Sequence, residues 1–145
     1  MMLAASQGFC EVMEYLLKNG ASVETKDEDG ETAVFWAARY GKLKSLQWLC
    51  EQGAKLDHVD RTGDTALHAC VIGLGDGDDS YLGEVATWLV SHGLDPNSQG
   101  STISAVSMLE DAFPDLAGSL QAMVQAKHLS GETAEAPARS SRIRL

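Results

Sequence analysis

The sequence predicts an all-α solenoid of about four helix–turn–helix units, which are joined by β-hairpin-like fingers. The main observation is self-similarity at a fixed period, because Gly8, Leu16 and Gly20 are each followed 33 residues later by the same residue type. Other pairs at this spacing are Ala4 and Ala37, Asp27 and Asp60, Gly30 and Gly63, and Thr32 and Thr65. A repeat of this length is typical of solenoids, in which each unit buries its apolar face against the next unit.

The first unit is truncated, since the chain begins inside its inner helix. Residues 1–5 align with the interior of that helix, and no threonine-led turn precedes them. A helix without an N-cap loses about 0.5–2 kcal/mol, so we expect either a piece of a longer protein or a poorly ordered first helix. Val12, Leu16 and Leu17 then follow helical spacing, and Gly20 ends the outer helix in a left-handed conformation.

The second unit, residues 27–57, is the best preserved. Asp29 and Gly30 supply the turn of its finger, and Thr32 is placed to cap an inner helix over residues 33–40. The outer helix follows Gly41 and repeats apolar residues at helical spacing, so we expect Leu49 in the core.

The third unit begins at Asp60 and is interrupted by an insertion at residues 73–80. That stretch holds three glycines and three aspartates, which cannot bury apolar area, so it is predicted to be a flexible loop. A calcium site is an alternative, because several carboxylates lie here, although their spacing departs from that of an EF-hand. These carboxylates belong to Asp76, Asp78, Asp79 and Glu84.

The C-terminal part of the array is predicted to be a degenerate capping repeat. Residues 102–127 hold two further amphipathic segments, and Pro114 suits the first turn of the second one. The repeat domain therefore covers residues 1–127. Residues 128–145 are predicted to form a disordered tail, because their composition lacks apolar periodicity. As an alternative role, the terminal Ile143 and Leu145 suit addition as a strand to a PDZ-type groove.

Composition and charge restrict the functions that we expect. The formal net charge of −10 argues against nucleic acid as a partner, because phosphate binding requires clustered lysine and arginine. No apolar run is long enough to cross a bilayer, so we expect no membrane insertion. No nucleophile–base pair, pair of carboxylates in an apolar setting or metal-ligand pattern is recognisable, so we expect neither enzymatic activity nor a cofactor or metal.

The three cysteines, Cys10, Cys50 and Cys70, lie far apart and lack metal-ligand spacing. Cys50 and Cys70 stand where other units have leucine and alanine, so both are expected to pack as small hydrophobic residues. Unpaired cysteines of this kind indicate a reducing compartment, either the cytoplasm or the nucleus.

The repeat resembles that of the ankyrin family in its length and in the motif T-P-L-H-x-A, which residues 65–70 match most closely as TALHAC. The resemblance covers roughly residues 2–127. It departs from the motif where alanine replaces proline at 33 and 66, and where Phe35 replaces histidine. The resemblance implies a non-catalytic module that binds another protein through its fingers and inner helices. It also implies that Thr65 and His68 hydrogen-bond to nearby backbone and that Trp36 is buried between repeats.

The same resemblance implies where a partner would bind, because ankyrin proteins use finger residues and the exposed end of the inner helix. On this sequence those positions fall in the second and third units. The predicted residues are Glu28, Asp29, Glu31, Arg39, Tyr40, Arg61, Thr62, Asp64 and Ile72. Arg39 and Tyr40 are of the types that dominate binding energy at interfaces, so we expect them to be the main contacts.

A narrower resemblance concerns residues 33–41, which read AVFWAARYG, and residues 63–68, which read GDTALH. These segments are similar to part of the ankyrin region of death-associated protein kinases. The chain carries no kinase motif, since the glycine-rich loop with its lysine, H-R-D and D-F-G are all missing from the sequence. The resemblance implies an alternative in which the chain is a regulatory or targeting part of a larger signalling enzyme.

Overall fold

The computed structural model describes residues 1–73, 81–100 and 103–144, without the side chains of Leu82 and of residues 131–144. In chain order the helices are α1 (Met2–Gln7), α2 (Cys10–Lys18), α3 (Ala33–Arg39), α4 (Leu43–Glu51), α5 (Ala66–Ile72), α6 (Leu82–Ser91), α7 (Ala105–Ala112) and α8 (Pro114–Arg144). No strand of a sheet occurs among the described residues, which agrees with the predicted all-helical class.

The helices pair along the chain, and the pairs stack in sequence. α1 packs on α2, α3 on α4, α5 on α6 and α7 on α8. The inner helices α1, α3, α5 and α7 follow one another through the stack, while the outer helices are joined by contacts of α2 with α4 and of α6 with α8. Each pair therefore buries its apolar side on neighbouring pairs, as a solenoid requires.

The core consists of apolar side chains that lie between successive pairs. Leu46, Leu49 and Leu89 on the outer helices are fully buried, which confirms the prediction for Leu49. Where the inner helices approach one another, the chain has small residues such as Ala37 and Ala66, which are also buried. Small side chains at these positions let the helix axes lie close together.

The cysteines differ in their surroundings, although all three are free thiols. Cys70 is buried, and burial raises the pKa of its thiol to about 12, so it packs as a small hydrophobic residue as predicted. Cys50 is only half-buried, so the same expectation is not met at that position.

Two glycines set how closely neighbouring units approach. Gly41 joins α3 to α4 with a φ of +64°, and a Cβ there would lie 3.3 Å from the Cβ of Tyr81. A Cβ on Gly73 would overlap the backbone carbonyl of Arg39. Glycine at position 73 therefore lets the C-terminal end of α5 lie directly against the C-terminal end of α3.

Among the described residues, the first unit has a neighbouring unit on one side only. α1 is helical, without a side-chain hydrogen bond at its N-cap, Met1. On its partner α2, Val12 is 45% exposed, whereas the residues at the equivalent position of α4 and α6, Ser45 and Val85, are fully buried. The difference arises because a preceding unit covers this position in α4 and α6.

The finger of the second unit is a tight turn. The N–H of Asp27 donates to the carbonyl of Glu31 at 3.0 Å, and the N–H of Gly30 donates to the carbonyl of Asp27 at 3.1 Å. The third finger has the same pattern. Within the described ranges, extended pairing is limited to isolated antiparallel bridges, one of which joins Val59 and Thr65. The β-hairpin character of the fingers therefore stays a prediction.

His68 joins the third unit to the segment that precedes α7. The N–H of Thr65 donates to Nδ1 of His68 at 3.1 Å, so Nδ1 is an acceptor and the proton of the neutral ring lies on Nε2. Nε2 then donates to the carbonyl of Ile103 at 3.2 Å. These bonds confirm the structural role that the family resemblance implies for Thr65 and His68.

The second unit lacks this arrangement, because Phe35 stands where the third unit has His68. Thr32 occupies the N-cap position of α3, as predicted, and its backbone is extended. Its buried hydroxyl has no hydrogen-bond partner in the part of the chain that the structure describes. Thr32 therefore marks the start of the helix without capping it through its side chain.

The last pair of helices differs from the prediction in its length. α7 has Ser104 as its N-cap, whose Oγ accepts from the N–H of Ser107 at 3.3 Å, and α8 begins at Pro114 as expected. α8 continues to Arg144, so the backbone of residues 128–144 is helical where composition predicts a disordered tail. Residues 125–130 are all exposed, and a helix without tertiary packing is marginal in water. That the tail is a unit separate from the repeat domain stays a prediction.

The predicted insertion lies outside the described residues, apart from Gly73. The same holds for Asp76, Asp78 and Asp79 of the calcium alternative. The fourth carboxylate of that alternative, Glu84, is exposed on α6.

Truncation of Leu49 tests the packing between units. Leu49→Ala is expected to lower the free energy of unfolding by about 2–5 kcal/mol, because a fully buried side chain is replaced by a cavity. Urea unfolding followed by circular dichroism measures the loss. Gln47→Ala, at an exposed position of the same helix, is the control and should change stability by less than about 0.5 kcal/mol. A loss below about 1 kcal/mol for Leu49→Ala would show that this helix packs differently.

Candidate functional site

Two aromatic residues, Trp36 on α3 and Tyr40 at the C-cap of that helix, lie beside the second finger, and we call them the aromatic shelf. Trp36 is half-buried, and its indole N–H donates to Oδ2 of Asp27 in the finger at 3.0 Å. Tyr40 stacks on Trp36, with 6.3 Å between ring centroids and 29° between ring planes, and is 46% exposed. The expectation that Trp36 lies in the core is therefore wrong, because the indole is bonded to the finger and stays only half-buried.

Asp27 organises both the finger and the aromatic shelf. Its Oδ1 accepts from the backbone N–H of Asp29 at 3.0 Å and of Glu31 at 2.9 Å, while its Oδ2 accepts from Trp36. Burial alone raises the pKa of Asp27. The bonds from Trp36, Glu31 and Asp29, with the charge of Arg39, outweigh burial and lower the pKa below its ordinary value of 3.8. The ionised carboxylate is therefore the form that fits this finger.

Glu31 is buried and forms an ion pair with Arg39. Nη1 of Arg39 donates to Oε2 of Glu31 at 3.0 Å, and Nη2 donates to Oε1. The relative exposure is 8% for the side chain of Glu31 and 26% for that of Arg39. The two-point pair ties the finger to α3, and Glu31 offers almost no surface of its own to a partner.

Exposed apolar residues continue onto the neighbouring inner helices. Ile72, at the C-terminal end of α5, is 51% exposed and lies next to the close contact between Gly73 and α3. Leu3, on α1, is 69% exposed and occupies the position that Trp36 has on α3. Because α1, α3 and α5 pack in this order, we call Leu3, Trp36, Tyr40 and Ile72 the apolar row.

The third finger is held by Asp60 in the same way as the second finger is held by Asp27. Oδ1 of Asp60 accepts from the N–H of Thr62 at 2.8 Å and of Asp64 at 2.9 Å. The tips of the two fingers are joined, since the N–H of Arg61 donates to the carbonyl of Asp29 at 3.0 Å. The two fingers therefore present one continuous surface.

An open cleft of about 280 Å³ lies between the two fingers. On one side Nε2 of His58 faces the carbonyl of Gly30 at 3.1 Å and can only donate to it. The cleft is lined by Lys26, Asp27, Gly30, His58, Val59, Asp60 and Arg61. Because its charged residues are of both signs, the cleft does not favour a ligand of one charge.

The structure places the predicted partner-binding residues on the two fingers and at the ends of α3 and α5. The exposed ones are Glu28, Asp29, Tyr40, Arg61, Thr62 and Ile72. Arg39 and Asp64 are partly buried, and Glu31 is buried. Contact with a partner at these residues stays a prediction.

Sequence reasoning missed Trp36 as a surface residue. One signal was available in the repeat itself, because the same position carries Leu3, Trp36 and Ala69 in successive units. Such variation in side-chain volume is more than a tightly packed contact accepts without adjustment. In the structure this position is exposed at Leu3, half-buried at Trp36 and buried at Ala69, so the large side chains occur where the position is accessible.

Among the described side chains, no three histidines, cysteines, aspartates or glutamates are grouped so that they could hold a metal ion. Within the same part of the chain, every helix is too short or too polar to cross a membrane.

Stacked helix pairs joined by finger-like turns define a helical-repeat solenoid, a class in which successive units together build one extended binding surface. A family model described as ankyrin repeats, in three copies, matches residues 1–100. The match covers more than half of the chain, which therefore belongs to the ankyrin-repeat family. A comparison with curated proteins finds no match. Ankyrin repeats are generally protein–protein interaction modules and typically lack catalytic activity.

Loss of Arg39 tests the buried ion pair. Arg39→Ala is expected to lower the free energy of unfolding by about 1–3 kcal/mol, because the carboxylate of Glu31 stays buried without its counter-ion. Urea unfolding measures the change, and Lys44→Ala, at an exposed position of α4, is the control. Addition of Glu31→Ala to Arg39→Ala should restore part of the loss. If Arg39→Ala is as stable as the unmodified chain, the ion pair does not support the finger.

Acid unfolding tests Asp27. Because the folded state lowers the pKa of Asp27, its carboxylate stabilises the fold at pH values above 3.8, and this stabilisation is lost as the pH falls through the lowered pKa. The stability difference between the unmodified chain and Asp27→Asn should therefore be larger at about pH 6 than at about pH 3. Urea unfolding at both pH values measures it, with the exposed Asp57→Asn as control. A difference that stays constant or grows in acid would contradict the role of the ionised carboxylate.

Proposed function

We propose that the chain is a non-catalytic interaction module, which binds another protein through the fingers and inner helices of its second and third units. The observation on which this proposal rests is the apolar row, whose exposed members Leu3, Tyr40 and Ile72 lie on, or directly after, three adjoining inner helices. Contiguous exposed apolar surface with a polar rim is typical of protein-binding sites. The polar rim here consists of the finger residues Glu28, Asp29, Arg61 and Thr62.

Internal hydrogen bonds favour binding at the apolar row, because they fix side chains on and beside it before a partner binds. Asp27 holds Trp36 in place, and the Glu31–Arg39 pair ties the finger to the helix. A surface that is ordered before binding loses less conformational entropy in the complex. Among the predicted residues, Tyr40 and Ile72 are therefore the proposed anchors, and Arg39 mainly positions the finger.

For the compartment we propose the cytoplasm or the nucleus. Support comes from the thiols, since Cys10, Cys50 and Cys70 are all unpaired.

Removal of the two anchors tests the binding surface. The double variant Tyr40→Ala with Ile72→Ala is expected to weaken binding by about tenfold or more, because aromatic and aliphatic anchors dominate such interfaces. The measurement is capture of proteins from cell extract by the immobilised full chain, quantified by mass spectrometry and followed by calorimetry with the retained partner. Both side chains are exposed, so the variant should unfold within about 0.5 kcal/mol of the unmodified chain.

A matched control is available on the outer helix α2. Tyr15→Ala with Val12→Ala removes the same classes of side chain at comparably exposed positions. The control should retain the same proteins as the unmodified chain. Loss of those proteins in the control, with retention by the Tyr40 and Ile72 variant, would place the binding surface elsewhere.

An alternative is that the chain is a regulatory or targeting segment of a larger signalling enzyme, such as a death-associated-type protein kinase. Its support is the resemblance at residues 33–41 and 63–68. The same binding surface would serve either role, because a regulatory segment also acts by binding. Sequencing of the full transcript tests this alternative, which requires a catalytic domain in the same reading frame.

A further inference from the structure

The fingers of the second and third units carry an excess of negative charge. Residues 24–31 and 57–64 contain eight carboxylates and two basic side chains. Glu31 is paired with Arg39, whose charge also acts on Asp27, and the hydrogen bonds that Asp27 accepts come from N–H groups that carry no formal charge. The side chains of Glu28 and Asp29 are exposed and have neither a hydrogen-bond nor an ion-pair partner within the described residues.

The aromatic shelf lies next to these charges. A cation is attracted to the face of a tryptophan or tyrosine ring when it lies within about 6 Å of the ring centre. The indole of Trp36 is bonded to Oδ2 of Asp27 at 3.0 Å, so a cation on that ring also lies near a carboxylate. The guanidinium of Arg39, the basic residue of α3, is bonded to Glu31 and is therefore not available as the cation for these rings.

The apolar row determines the form of a segment that could lie across it. Neighbouring helix axes are about 8–10 Å apart, and an extended chain advances about 3.3 Å per residue. Side chains that reach neighbouring helices are therefore separated by about three residues. An extended segment with this spacing of side chains can cross α1, α3 and α5 without forming a helix or a turn.

We propose that this surface binds an extended basic segment of another protein, in which an arginine or lysine lies on the aromatic shelf. Apolar side chains about three residues before and after it contact Leu3 and Ile72. Further basic residues of the segment face Glu28 and Asp29. This inference rests on the proposed function and adds to it the chemical class of the partner.

Other classes of segment fit less well. An acidic segment would bring like charges against Glu28 and Asp29, which costs binding energy and selects against it. A wholly apolar segment would cover the charged side chains of Glu28 and Asp29 without offering them a partner, and burial of an unpaired charge is unfavourable.

A positional-scanning peptide library tests the class of partner directly. The synthetic peptides have about twelve residues, which is more than the number needed to cross the row. In each sub-library one position is fixed as arginine, lysine, glutamine, glutamate or leucine. Binding to the full chain is measured by fluorescence anisotropy. We expect selection of arginine or lysine with leucine about three residues away, and weaker binding when sodium chloride rises from about 50 to about 300 mM.

Variants of the chain then locate the peptide. Tyr40→Ala is expected to lower the affinity for the selected peptide about fivefold or more. The double variant Glu28→Gln with Asp29→Asn is expected to lower it about threefold. Glu51→Gln, a charge change on the exposed end of α4, is the control and should leave affinity unchanged.

Four results would overturn the inference: no binding by any peptide, selection of acidic or uncharged peptides, no effect of Tyr40→Ala, or an equal effect of the Glu51 control. These results leave the proposed function standing if proteins captured from extract still require Tyr40 and Ile72. If capture also proves independent of those two residues, the proposed function fails as well.

Discussion

Packing between neighbouring helix pairs is the interaction on which the whole structure depends. One helix pair is too small to enclose a core, so the apolar side of each pair is buried only where another pair covers it. Leu49 and Leu89 are fully buried because they lie between pairs, whereas Val12 of α2, on a side where no described pair packs, is 45% exposed. The remaining helix positions and the fingers are thereby free to vary, and these positions carry the candidate binding surface.

Polar groups add a second set of connections, which differ from one unit to the next. In the third unit His68 accepts from Thr65 and donates to the carbonyl of Ile103, so one side chain caps a helix and joins two units. The second unit has Phe35 at that position, which packs edge-on against His58 with 6.1 Å between ring centroids. Its finger, which Asp27 holds as Asp60 holds the third finger, is bonded in addition to Trp36 of α3. The same backbone is thus supported by different side chains, and the second unit has a stacked aromatic pair of which Tyr40 is exposed and Trp36 half-buried.

The helices could be predicted from the sequence, because they follow from a period of 33 residues and from apolar spacing along each segment. The candidate surface could be predicted only in part. Trp36 is bonded to a residue nine positions away and Arg39 to one eight positions away, and neither distance corresponds to a helical or strand neighbour. Such bonds depend on how the finger folds back onto the helix, which periodicity does not describe. For that reason the sequence predicts Trp36 in the core and Glu31 as a partner contact, whereas in the structure Trp36 is half-buried and Glu31 is buried.

Residue type alone is therefore a poor guide to what this surface offers a partner. Arginine is frequent at binding hot spots, yet the guanidinium of Arg39 is bonded at two points to a buried carboxylate. A partner that competed for it would have to leave Glu31 buried and unpaired, which is costly. Tyr40 takes part in no ion pair, so a partner can cover its exposed ring without breaking one. A partner can most readily use groups whose internal bonds it does not have to replace, and on this face they include the ring of Tyr40 and the carboxylates of Glu28 and Asp29.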